Sequence, residues 1–349
     1  IFAERGALRG LVDLKRQGRA EEHLALFYPQ PDAERDELFK AMQKKTKVHV
    51  DVPENIMNGK VKADVAFWAP HQYRSVDPPE PTAQQVARAA ELLIAAQAPM
   101  IHAGSGIVHA GAFEALARVA ELLQAPVTTS WAARGALPET SPLAMPMPHV
   151  KVNHKVRNDA DAVLIVGSRL GETDWWGKPP YWRHASEQKT IQVDLDPDIL
   201  GLNKPADLAI QADAKRFLAL LGEELERRKA EINLEPRRAR LAGYAKAMAE
   251  DRAGWDKALS DMAIPMHPAH IATVCGEVFP KDTVLVADGG NATIWAMFYH
   301  RADVPNRIVS TFKFGMLGAG MAQAVGAAVA LPGRPVCCII GDGAFGFHP

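Results

Sequence analysis

The stretch APMIHAGSGIVHAGAFEALARVAELLQAPVTTS, residues 98–130, decides the fold. A short apolar run, PMIHAG, ends on glycine. AFEALARVAELLQ then repeats apolar residues at helical spacing, and PVTTS is a second short, β-branched run. Strand, turn, helix and strand in this order imply a parallel sheet with helices on both faces. Just upstream, Thr82 and Gln85 form a capping-box start for the helix AQQVARAAELLIAA. Downstream, DAVLIVG (161–167) and KTIQVDLDP (189–197) read as two more short strands of the same sheet. A long polar helical region (213–260) then separates this domain from a second α/β run. That run contains HPAHIATVCGEVF, TVLVAD, NATIWAMFYH, GMAQAVGAAVAL and PVCCIIGDG. The expected fold class is α/β, with tandem doubly wound parallel-sheet domains and helices on both faces. Residues 82–230 form the first domain, 231–262 a helical connection and 263–349 the second. The Pro-rich SVDPPEPT (75–82) lies at the end of a linker spanning 61–81.

Composition narrows the class. The chain has 349 residues, 40 Lys and Arg against 41 Asp and Glu, 48% apolar residues and 23% charged ones. Such a balance leaves no electrostatic footprint for nucleic acid or an anionic membrane, and it suits a globule with a buried core. No apolar run approaches the ~18 residues of a membrane span. Three cysteines, two of them adjacent at 337 and 338 in an apolar run, suit buried thiols in a reducing compartment. The expectation is a cytoplasmic enzyme with no nucleic-acid or membrane partner.

The chemistry-bearing signal is strongest at the C-terminal end. In VCCIIGDGA (336–344) an apolar strand ends in Gly341, Asp342, Gly343 and Ala344. Ligands of parallel α/β sheets bind beyond the carboxyl ends of the strands. A carboxylate there suits Mg2+, and the N–H groups of the turn suit a diphosphate. From the tripeptide alone, an ordinary Asp-Gly turn is an equally good reading. Two upstream turns shift the balance. VLVADGGNATIW (284–295) is another strand ending in an acid and glycines, with Asn291 placed to cap the following helix. FKFGMLGAGMAQAVGAA (312–328) sets Gly315, Gly318 and Gly320 at the start of an Ala-rich helix, with Met316 and Leu317 facing whatever the turn faces.

In that order, these three segments resemble the diphosphate-binding domain of thiamine diphosphate enzymes, in the acetolactate synthase, benzoylformate decarboxylase and 2-hydroxyacyl-CoA lyase group. The resemblance implies that Asp342 is a metal ligand and that Gly341, Gly343 and Ala344 lie at the diphosphate. It further implies that Leu317 wedges the cofactor into its bent form, that Gly315 and Met316 hold the aminopyrimidine, and that Gly290 and Asn291 line the diphosphate end. Residues 98–143, 160–175 and 191–215 resemble the family's central domain, and KVHVDVPENIM (47–57) resembles the end of its pyrimidine-binding domain, leaving 1–60 as an incomplete remnant. The glutamate that activates the cofactor in that domain has no recognisable counterpart, and Glu4, Glu21, Glu22, Glu34 and Glu37 are not assigned the role. The second side-chain ligand of the metal falls past Pro349.

Implied function follows from the resemblance. It is a thiamine diphosphate- and Mg2+-dependent C–C bond lyase or transferase acting on 2-oxo acids or acyl compounds, acetolactate synthase-like, as a homodimer or homotetramer. The alternatives are a 2-hydroxyacyl-CoA lyase or aryl 2-oxo acid decarboxylase of the same family, and a non-catalytic α/β scaffold. Central domains of this family bind FAD, ADP or nothing. The candidate nucleotide positions here are Ser168, Arg169, Asp194 and Asp196. AGSGIVHAG (103–111) mimics a dinucleotide fingerprint, but no acid follows the next strand, which argues against NAD. His149, His154, His267 and His270 read as solvated or capping residues, and TDWWGKPPYW (173–182) as an aromatic packing loop.

Overall fold

The computed structural model describes residues 69–72, 77–260, 263–310 and 315–347. The strand expected at 47–57 and the whole 1–60 segment lie outside the described residues. Residues 79–349 form one compact unit, whose boundary falls inside the linker read at 61–81.

The capping box at Thr82 forms as its sequence requires. Gln85 N donates to Thr82 Oγ1 at 3.2 Å, and Thr82 N donates to Gln85 Oε1 at 2.9 Å. It opens α1 (Ala83–Ala95), which buries Val86, Ala89, Ala90 and Leu93 along one stripe. There follow β1 (Pro99–Ala103), α2 (Ser105–Ala110), α3 (Phe113–Leu123), β2 (Val127–Thr129), β3 (Ala144–Met145), α4 (Val150–Asp159) and β4 (Ala162–Val166). The domain closes with β5 (Lys189–Asp194), β6 (Leu208–Gln211) and α5 (Ala214–Arg227). All six strands are parallel, in the order β3-β2-β1-β4-β5-β6. Every residue of β1 and β4 is buried. That burial requires helices on both faces and explains the unbroken apolar runs in the sequence. The "glycine turn" at 104–111 contains α2, a short helix closed by Gly111 at φ 60°, and β3 and β6 join strands that the sequence pattern alone does not mark.

Side chains of long reach hold the layers in register. Asp161, just before β4, accepts from Gln97 N (2.7 Å) and Ala98 N (2.9 Å) and ties the α1–β1 turn to the neighbouring strand. The polar region expected at 213–260 is α5 followed by α6 (Glu235–Leu259). Arg237 of α6 is buried and donates to Leu123, Leu93, Ile94 and Ala96 carbonyls at 2.8–3.0 Å. One guanidinium thus satisfies orphan carbonyls at the C-terminal ends of both α1 and α3.

The second α/β run consists of α7 (Ala269–Val278), β7 (Val284–Asp288), α8 (Gly290–Tyr299), β8 (Ile308–Ser310), α9 (Ala319–Ala330), β9 (Val336–Ile340) and α10 (Asp342–Phe345). Its strands are parallel in the order β8-β7-β9. Each sheet therefore has a point where the chain reverses its direction of strand addition, between β1 and β4 in the first and between β7 and β9 in the second. Such points are where the crevices of open α/β sheets lie.

Candidate functional site

At the β7/β9 reversal, three strand-end turns converge on one acid. Asp288 is the last residue of β7 and is 3% exposed. Its Oδ1 accepts from Gly289 N at 2.5 Å and its Oδ2 from Gly320 N at 2.7 Å. The second bond satisfies a free N–H in the first turn of α9 with a carboxylate, the charge a helix N-terminus favours. Gly320 has to be glycine, since a Cβ there would lie 2.5 Å from the Asp288 Cβ. The third turn joins through Gly341, whose N–H donates to the Asp288 carbonyl at 3.3 Å. Sequence reading recognised the acid in DGGN but gave it no role. The signal was present in the pairing of a strand-end Asp with a glycine in the first turn of a later helix.

Around this buried clamp lie the residues singled out from the sequence. Gly290 and Asn291 begin α8 and are exposed. Asn291 does not cap that helix: the N-cap is Gly289 at φ 96°, and Asn291 is the second helical residue. The cap position demands a positive φ that glycine adopts at little cost, which displaces the side-chain cap expected from the sequence. Gly315 (φ 69°), Met316 and Leu317 precede α9, and the two side chains are 50% and 38% exposed. Gly341 is the N-cap of α10 and Asp342 its first residue. The Asp342 side chain is exposed and makes no hydrogen bond or ion pair among the described residues, while Gly343 is exposed and Ala344 buried. Eight of the nine predicted residues thus reach the surface at the carboxyl ends of adjacent strands. Ala344 packs inward.

The β1/β4 reversal is built differently. Gly104 N donates to Val166 O (2.9 Å) and Gly106 N to Gly167 O (3.0 Å). A Cβ on Gly104 would lie 2.1 Å from Gly167 O. The two turns are pressed backbone to backbone, and their N–H groups are already partnered. Ser168 Oγ accepts from Leu170 N, Asp194 from Asp196 N and Asp196 from Asp198 N. Burial pushes the Asp194 carboxyl above its usual range. The positions considered for a flavin or adenine nucleotide are therefore occupied with internal hydrogen bonds, apart from the exposed Arg169.

The remaining candidates have local partners. His149 Nδ1 lies 3.0 Å from Asp251 Oδ2 and its ring stacks on Trp255 at 4.6 Å. His267 Nδ1 accepts from Ala269 N, a capping contact at the start of α7. In the 173–182 loop Trp182 is fully buried, while Trp175 stacks on Tyr181 at 3.9 Å.

One side chain joins the two sheets' surroundings. Arg134, buried after β2, pairs with Glu139 through Nε (2.7 Å) and Nη2 (2.9 Å). It also donates to the Met297 and His300 carbonyls at the end of α8. Glu139 in turn accepts from Ala302 N at 2.8 Å. The helix that carries Gly290 and Asn291 is thereby anchored at its far end on the first domain.

Comparison with known proteins agrees with this architecture. Residues 86–221 match the family model "Thiamine pyrophosphate enzyme, central domain", and residues 288–349 match "Thiamine pyrophosphate enzyme, C-terminal TPP binding domain". The chain is 28% identical over 327 residues to a probable acetolactate synthase large subunit of Methanocaldococcus jannaschii, covering 85% of this chain and 50% of the relative. It is 29% identical over 319 residues to sulfoacetaldehyde acetyltransferase of Castellaniella defragrans, covering 85% and 52%. With the acetolactate synthase large subunit IlvB1 of Mycobacterium tuberculosis the identity is 31% over 304 residues, covering 85% and 47%. The chain spans about half the length of these curated relatives. Two matched domains, in the family's order and carrying the strand-end turns just described, place the chain in the thiamine pyrophosphate enzyme family.

Proposed function

We propose that this chain supplies the diphosphate- and Mg2+-holding part of a thiamine diphosphate-dependent enzyme that acts on a 2-oxo acid, in the manner of an acetolactate synthase. The observation that carries the reading is the exposed carboxylate of Asp342, without a partner among the described residues, beside the glycine turns fixed by Asp288. The donor set fits a hard divalent ion. One carboxylate is offered, and no cluster of three His, Cys, Asp or Glu side chains occurs among the described residues. The other coordination positions would then fall to phosphate oxygens and water, as Mg2+ prefers. Asp342 would hold the ion, Gly341, Gly343, Gly290 and Asn291 would admit the diphosphate at close range, and the exposed Leu317 and Met316 would support the cofactor's rings. When bound, thiamine diphosphate supplies the electron sink for breaking a C–C bond next to a carbonyl. The chain's own contribution is to fix the turns: Asp288 holds two of them by hydrogen bonds to its carboxylate, and its carbonyl holds the third.

The acetolactate synthase and acetyltransferase relatives support a transferase over a simple decarboxylase. A homo-oligomer is part of the same proposal. Its support is the exposed apolar surface of Ile271, Val274 and Val278 along α7 and of Val325 and Val329 along α9. Calorimetric titration with thiamine diphosphate and Mg2+ tests the reading. Saturable binding that weakens about tenfold or more in Asp342→Ala is expected, as for loss of a charged ligand. Binding indifferent to Asp342 would overturn it, and pyruvate turnover is the measurement that separates an enzyme from a holo scaffold.

A further inference from the structure

We infer that Cys275 and Cys337 are a peroxide-oxidisable dithiol whose disulfide locks α7 onto β9. The two residues are 62 positions apart in sequence and belong to different layers, Cys275 to α7 and Cys337 to β9. Both are free thiols. The Cys337 thiol is hydrogen-bonded to Cys275, which brings the two sulfurs into contact. Contact between sulfurs on elements already packed together is the condition for a bridge.

A cavity of about 220 Å3 opens onto the pair. It is lined by Leu285 and Cys337 from the sheet, by Cys275 and Phe279 from α7 and its end, and by Tyr299 and His300 from the end of α8. That volume admits a molecule as small as a peroxide. Cys275 is half-buried, while Cys337 is only 9% exposed. Burial, with the neighbouring Cys275 thiol adding to it, pushes Cys337 above the usual thiol range. Cys337 therefore stays protonated, and Cys275 is the sulfur that reacts first. Cys338 is placed differently. Successive residues of a strand face opposite sides of the sheet, and Cys338 does not line the cavity.

The Cys275 thiolate attacks one oxygen of hydrogen peroxide and the O–O bond breaks. The departing hydroxide takes the proton that Cys275 gave up and leaves as water, and Cys275 becomes a sulfenic acid. The Cys337 sulfur then attacks the Cys275 sulfur and the S–O bond breaks. The Cys337 proton goes to this second hydroxide. Two thiols lose two electrons and two protons, and one peroxide is reduced to two waters. The bridge closes a loop containing β7, α8, β8 and α9, which removes freedom from the unfolded chain.

The test treats the full chain with hydrogen peroxide in the absence of thiamine diphosphate and Mg2+, so its outcome is independent of Asp342. The chain is then unfolded, remaining thiols are alkylated, and peptides are mapped by mass spectrometry. The Cys275 and Cys337 peptides are expected to be joined, with only Cys338 alkylated. The midpoint of thermal unfolding should rise by about 5 °C or more and return with dithiothreitol. Cys275→Ser should abolish both the bridge and the shift, and Cys338→Ser should keep both. A bridge from Cys337 to Cys338 or to a second chain would overturn the assignment. So would three alkylated thiols after the exposed Met266 has been oxidised. A midpoint left unchanged or lowered by the Cys275–Cys337 bridge would overturn the lock.

Discussion

At the β1/β4 reversal the strand-end glycines let two turns touch, and the N–H groups of Gly104 and Gly106 are taken by Val166 and Gly167 carbonyls. At the β7/β9 reversal the same kind of glycine-rich turns surround a buried acid, and their outer groups, Gly290, Gly343 and the Asp342 carboxylate among them, face outward. Glycine at a strand end therefore marks close approach but does not say of what. Where backbone meets backbone, the turn is part of the core. Where a buried side chain holds the turn from behind, its front is free to meet a ligand.

The sharpest way to break this comparison is to add one methyl group on each side. Gly104→Ala drives a Cβ to 2.1 Å from a backbone oxygen that has no room to retreat. A loss of roughly 4 kcal/mol or more is expected in urea unfolding, the range of severe core strain. Near-wild-type stability would show that the closed reversal is not packed as described.

Arg134→Met comes next, because it removes the guanidinium bonds to the end of α8 and leaves the buried Glu139 carboxylate with the Ala302 N–H but without its countercharge. A cost of about 3–5 kcal/mol is expected. Unfolding should also separate into two transitions if the anchor of α8 is what couples the domains.

His300, whose carbonyl Arg134 holds, gives a pH test at the same junction. Burial, with the Arg134 charge adding to it, holds its pKa down from 6.5 to about 4. The unfolded chain takes up this proton near pH 6.5 while the folded chain resists until about pH 4. Stability present above pH 6.5 is therefore lost as pH falls through that window, by roughly 3 kcal/mol at most. His300→Gln should flatten this part of the pH–stability curve, and an unchanged slope would exclude His300 as its source.

The smallest expected effect on stability completes the contrast. Among the described residues, nothing beyond its chain neighbours and its own helix backbone lies within 4 Å of a Cβ built on Gly290. Gly290→Ala should leave unfolding within about 0.5 kcal/mol of the parent, or slightly raise it. Thiamine diphosphate affinity is expected to fall about tenfold, as the proposed place of Gly290 at the diphosphate requires. Equal and large stability losses in Gly104→Ala and Gly290→Ala would dissolve the distinction between the two reversals.

Much of this was legible in the residues. Thr82 and Gln85 announced α1, and β1 and β4 were visible as apolar runs because burial on both faces removes the alternation a half-exposed strand would show. The three turns after β7, β8 and β9 were legible because glycines cluster in all of them, with an acid at the end of β7 and after β9. β3, with only Ala144 and Met145, carried no pattern of its own, and β6 is too short and mixed to stand out. Asn291 misled because its side chain is a good cap, while the cap position went to Gly289 for its backbone conformation.

The sequence by itself determined the parallel α/β plan, the family and the positions of the three glycine turns, because periodicity and local turn chemistry are written in neighbouring residues. Tertiary structure alone decided which strand-end crevice is closed and which is open. It also decided that Asp288 joins turns 32 residues apart, and that Arg134 links β2 to α8. Those outcomes depend on which backbone groups meet across the sheet, and that partnership is fixed only when distant segments pack.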